Sequence, residues 1–128
     1  MNIIEKIWVG LKKLFFGYTT YFKIYQSSCA LNGVSFVSIF QKTFDYPIEI
    51  IAIEFLMEKD IKAYYRFLIN GEKIFPFGDK NEIENGINRA LITVNIAAGE
   101  RFTIEVCGDN PSQKNVIVLN ELDVIEKR

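Results

Sequence analysis

A chain of 128 residues, of which 49% are hydrophobic, 14% aromatic and 24% charged, is long enough to bury a core and too apolar to stay disordered. A formal net charge of -1 leaves no basic field to draw the protein onto nucleic acid. There is no histidine, which excludes Ser-His and Cys-His nucleophiles and removes the commonest general base and metal ligand.

Residues 1–17 read as an amphipathic docking helix. At helical period Ile3, Ile4, Ile7, Trp8, Leu11, Leu14 and Phe15 share one face, while Glu5, Lys6, Lys12 and Lys13 take the other. Asn2 suits the N-cap with Glu5 as its capping-box partner, the two adjacent lysines suit the negative end of the dipole, and Gly17 suits C′. Such a helix needs a surface to lie on: its own core, another subunit, or a membrane headgroup layer with Lys6, Lys12 and Lys13 on the wet side. The residues expected to bind a partner are Ile4, Ile7, Trp8, Leu11 and Phe15. The lysines interrupt every apolar run well short of the roughly 18 to 20 residues of a membrane span, and no cleavable leader is expected.

From residue 18 onward the period is that of strands, and residues 18–128 read as one β-sandwich domain. Residues 20–26 alternate, residues 34–40 follow the turn Asn32-Gly33, and residues 48–58 form a β-branched run opened by Pro47. Residues 61–69 run into Asn70-Gly71, a strong hairpin signal, with residues 72–77 returning and Pro76 marking an edge. Residues 89–96 and 101–106 flank Ala98-Gly99 and predict a second hairpin. After turn formers at 108–115, strands are expected at 116–119 and 122–125, broken at Asn120-Glu121. About eight short strands without crossover helices predict an all-β antiparallel sandwich, jelly-roll or immunoglobulin-like, with one N-terminal helix.

Candidates for chemistry are few. Cys29 and Cys107 have no metal-binding spacing and are expected to be buried and reduced, with a disulfide as the alternative. Glu49 and Glu54 stand at odd spacing on one strand, which predicts opposite faces, whereas Glu54 and Glu58 would share a solvated one. Oxygens at Asp79, Asn81, Glu82 and Glu84, and at Asp109 and Asn110, lack the EF-hand pattern and read as turn chemistry rather than calcium ligands. The glycines form no nucleotide-binding pattern. No catalytic residue, metal or cofactor is therefore assigned. The remaining signal is aromatic: eleven Phe and six Tyr, with Tyr18, Tyr21, Tyr25, Tyr64, Phe75 and Phe77 placed to serve a protein interface or a sugar-stacking platform.

Two stretches, Tyr65-Arg66-Phe67-Leu68-Ile69-Asn70-Gly71-Glu72-Lys73-Ile74-Phe75-Pro76-Phe77 and Ile96-Ala97-Ala98-Gly99-Glu100-Arg101-Phe102-Thr103-Ile104-Glu105-Val106, resemble the strand-turn-strand phrasing of small β-sandwich accessory proteins of tailed-phage particles. The resemblance covers about a third of the chain and carries no functional residue across. It implies a non-enzymatic structural subunit of a virion, a capsid decoration, neck or fibre protein, with other protein subunits as partners in a homo-oligomer or larger particle. The alternatives are a membrane-surface-associated sandwich and a carbohydrate-binding module.

Overall fold

The computed structural model describes residues 19–57, 61–75, 81–83 and 86–128. The predicted helix at 1–17, with Ile4, Ile7, Trp8, Leu11 and Phe15, lies outside the described residues, as do Tyr18, Glu58, Pro76, Phe77, Asp79 and Glu84. The described chain forms nine strands: β1 (Thr20–Asn32), β2 (Val37–Thr43), β3 (Ile48–Met57), β4 (Ala63–Ile69), β5 (Glu72–Phe75), β6 (Asn81–Ile83), β7 (Gly86–Ile96), β8 (Arg101–Gly108) and β9 (Lys114–Lys127).

Sheet I has the order β1-β9-β3-β7, and sheet II the order β2-β8-β4-β5, with β6 also on β4. Every pairing is antiparallel. β5 and β6 lie end to end along one side of β4, against residues 67–69 and 63–65 respectively. The pairs therefore nest, β1 with β9, β2 with β8, β3 with β7, and β4 with β5 and β6, which is the order of a jelly roll.

Between the sheets lies a core that includes Ile50, Ile53, Met57, Phe67, Phe102, Ile104, Val118 and Leu122, all at most 2% exposed. Phe67 and Phe102 meet edge to face at 5.4 Å, and burying each large side chain contributes roughly 1.5–3 kcal/mol. Alternation supplies this core. On β1 the odd residues Tyr25 and Cys29 pack on it and Leu31 is part of it, and on β9 the even residues Val116, Val118, Leu122 and Val124 do the same.

Some local expectations hold and others fail for physical reasons. Asn70 and Gly71 take φ of 51° and 85°, the left-handed pair that a tight β4–β5 hairpin requires. The second expected hairpin does not form. β7 pairs with β3 in sheet I, whereas β8 pairs with β2 and β4 in sheet II, so residues 97–100 arch from one sheet to the other. Gly99 N donates to Phe44 O at 2.9 Å, tying this arch to the β2–β3 connection. Strand alternation looks the same on either side of a hairpin or an arch. Nor does β9 break at Asn120-Glu121, because the Asn120 amide is satisfied inside the sheet: its Nδ2 donates to Glu54 O at 3.2 Å and its Oδ1 accepts from Ser27 Oγ at 3.4 Å.

The two outer faces differ in kind. On sheet II Arg66 makes a double contact with Glu105 at 2.8 Å and stacks on Phe36 at 3.8 Å, and Gln41, Thr43 and Arg101 are exposed. The same face also holds Leu68, Thr103 and Cys107, all three buried. Sheet I turns outward a set of apolar side chains.

Candidate functional site

The outer face of sheet I is assembled from rows that cross all four strands. One row sets Ile24 of β1 beside Asp123 of β9, Ala52 of β3 and Leu91 of β7. The next sets Gln26 beside Glu121, Glu54 and Arg89, and Ser28, Leu119 and Leu56 follow in the third. Phe22 and Ile125 precede them, and Ala30 and Ile117 close the face at the far end. A polar band thus crosses the sheet between apolar rows. Leu91 is 84% exposed, Phe22 59% and Ile24 51%, and Ile117 and Leu119 are exposed as well.

The polar band carries more acid than base. Arg89 Nη2 donates to Asp123 Oδ2 at 2.6 Å, and that hydrogen bond, the Asp123 charge and smaller contributions from Glu54 and Glu121 hold the guanidinium above its ordinary pKa. Asp123 is only 5% exposed, and its Oδ1 has no hydrogen-bond partner among the described residues. Glu54 and Glu121 stand directly opposite one another across the β3–β9 ladder. Beside them a groove of about 260 Å³ is lined by Gln26, Ser27, Glu54, Leu56, Leu119, Asn120 and Glu121.

A bulge explains why this face departs from simple alternation. The register of β3 shifts between Ile50 and Ala52, and Ile51 is the extra residue against β9. The shift reverses parity, so Glu49 and Glu54 lie on the same outer face despite their odd spacing, which corrects the expectation of opposite faces. They are two rows apart, with Glu49 in contact with Lys127 at 3.6 Å.

Among the described residues, Tyr21, Tyr25 and Tyr64 do not converge on a platform. Tyr25 packs inward on Phe40 and Phe44, with ring centroids at 5.7 and 5.8 Å. Tyr21 stacks on the Arg128 guanidinium at 4.6 Å, and Tyr64 OH donates to Asp109 Oδ1 at 2.9 Å. Of Phe75 only the backbone is described. The exposed residues that matter instead are Phe22, Ile24, Leu91, Ile117 and Leu119. One signal for them was present: residues 21–25 are apolar or aromatic on both alternating sets except at Lys23, as in a strand covered on two sides.

The remaining candidates are used locally. Asn110 Oδ1 accepts from Ser112 N at 3.0 Å within the β8–β9 turn, and Asp109 Oδ1 accepts from Tyr64 OH, tying that turn to β4. Neither cysteine is in a disulfide, and burial pushes the Cys29 thiol up to about 11.

No family model and no curated protein matches the sequence. Solved structures do match. A chain from Bacillus endospore appendages, a family of disulfide-linked pili, superposes with a TM-score of 0.59 at 10% identity, over 85% of this chain and 88% of that one. A family 35 carbohydrate-binding module from Clostridium thermocellum gives 0.50 at 13% identity, over 84% and 96%. A capsid chain of the Helicobacter pylori bacteriophage KHP30 gives 0.48 at 7% identity, over 86% and 98%. The likeness is one of fold. Jelly-roll sandwiches serve many unrelated functions, so the site must carry the functional argument.

Proposed function

We propose that this protein is a non-enzymatic structural subunit that joins a larger particle through two apolar surfaces, the outer face of sheet I and the amphipathic residues 1–17. The observation that carries the reading is the exposed set Phe22, Ile24, Leu91, Ile117 and Leu119 on one outer face. A sandwich that works alone in water keeps its outward-facing residues polar, and exposed apolar side chains gathered on one face around a polar band mark an interaction surface. The resemblance to tailed-phage accessory proteins supports a virion as the setting, with Ile4, Ile7, Trp8, Leu11 and Phe15 as the anchors.

Sedimentation velocity over a wide concentration range tests this reading. The full chain is expected to form a defined oligomer that a chain beginning at Tyr18 does not form. Replacing Trp8 with Ala is expected to weaken assembly by about 2 kcal/mol or more, the cost of truncating an interface anchor. An assembly state unmoved by Trp8→Ala counts against it.

One observation favours a second reading, a carbohydrate-binding module. The groove beside Glu54 and Glu121 offers carboxylate and amide groups next to Leu56 and Leu119, the mixture that recognises hydroxyls and sugar faces. On this reading a glycan array gives specific hits that Glu54→Gln abolishes. An array without hits disposes of it.

A further inference from the structure

We infer that β7 is the seam of a symmetric dimer: a second copy of this chain lays its own β7 antiparallel along the first and joins the two copies of sheet I into one continuous sheet. The inference rests on the assembly reading and names its partner. It starts from the edges of the two sheets, most of which are guarded against such pairing. β1 carries Lys23 and breaks register between Ala30 and Asn32, and β2 carries Lys42 and breaks register between Ser38 and Phe40. The other edge of sheet II is divided between β5 and β6, of four and three residues.

β7 is less protected. It is 11 residues long, holds no proline, and pairs only with β3 among the described residues, so one side of its backbone has no strand beside it. Its one interruption is a bulge, where Ile92 and Thr93 oppose Ile51, and residues 86–91 before it keep a regular register with β3. Its one charged residue is drawn away from the edge, because Arg89 reaches across β3 to Asp123 of β9 at 2.6 Å.

Three features select a second copy as the occupant. An antiparallel edge is its own complement, since a two-fold axis sets the donors of one strand opposite the acceptors of the other. With Arg89 already paired, two such edges meet without like-charge repulsion. The third feature is shape. Leu91, 84% exposed, stands beside a hollow of about 410 Å³ lined by Ile51, Ala52, Arg89, Ile92 and Thr93. A two-fold axis beside Leu91 packs each copy's leucine against the other's and leans it over the other's hollow, so that the same patch serves both sides.

Sedimentation velocity of the full chain over a wide concentration range is expected to show a reversible monomer–dimer equilibrium. Leu91→Glu and Leu91→Lys each set like charges together at the axis, and each alone is expected to raise the dimer dissociation constant about tenfold or more. An equimolar mixture of the two variants is expected to dimerise again. Hydrogen exchange of the unaltered chain gives a reading that does not depend on how a variant folds: amides of residues 89–95 gain protection as concentration rises, while those of β1 and β2 do not. Three results overturn the inference and leave the assembly reading standing: an oligomer unmoved by either substitution, folded variants whose mixture stays monomeric, or protection that rises at another edge instead. A chain that is monomeric at every concentration overturns both.

Discussion

Glu126 shows how one side chain couples the fold to acid. Burial pushes its carboxyl up, but hydrogen bonds from Arg128 and from Lys23, the latter at 2.9 Å, and the charges of both outweigh burial and hold it below the ordinary 4.5. Arg128 is itself positioned by stacking on Tyr21 and Tyr46, at 4.6 and 4.9 Å. A carboxyl whose pKa is depressed by folding stabilises the protein above its unfolded pKa, and that contribution disappears as pH falls through the folded value. The urea midpoint is therefore expected to fall as pH drops from about 5 to about 3, with a shallower fall in Glu126→Gln. Equal slopes in the two proteins would show that Glu126 is not the group responsible.

At the scale of elements the lesson lies in β9 and β3. Asn120 sits in the middle of β9, 3% exposed, and bridges Ser27 of β1 to the Glu54 carbonyl of β3. Asn120→Ala leaves those partners buried without it, and chemical denaturation is expected to show a loss of about 1–3 kcal/mol. The same residue illustrates what a sequence hides. A polar pair inside an apolar run reads as a turn unless its hydrogen-bond partners, remote in the chain, are known. Alternation made β1, β3, β4 and β8 legible because each has one face in the core, and Asn70-Gly71 named its own turn. Pairing partners were not legible, since an arch at residues 97–100 and a hairpin follow the same pattern, and three-residue β6 carries too little pattern to read. The bulge at Ile51 was silent too, and with it the shared face of Glu49 and Glu54. Of the candidate site, the double-sided apolar start of β1 was visible, but Leu91, Ile117 and Leu119 joined it only through the register of four strands.

For the whole molecule, the exposed apolar side chains on the outer face of sheet I give the sandwich a direction, with that side offered to a partner. The clamp between Thr19 and Arg128 adds a mechanical consequence. A particle that holds this subunit by residues 1–17 loads it through residue 19, at the end of β1, whose ladder with β9 runs from the pair Thr20 and Lys127 to the pair Asn32 and Lys114. Tension directed along β1 shears that ladder, so its hydrogen bonds share the force and must yield together. Tension directed across the sheet peels them one at a time, beginning at the clamp. The joint is strong in one direction of pull and weak in the other.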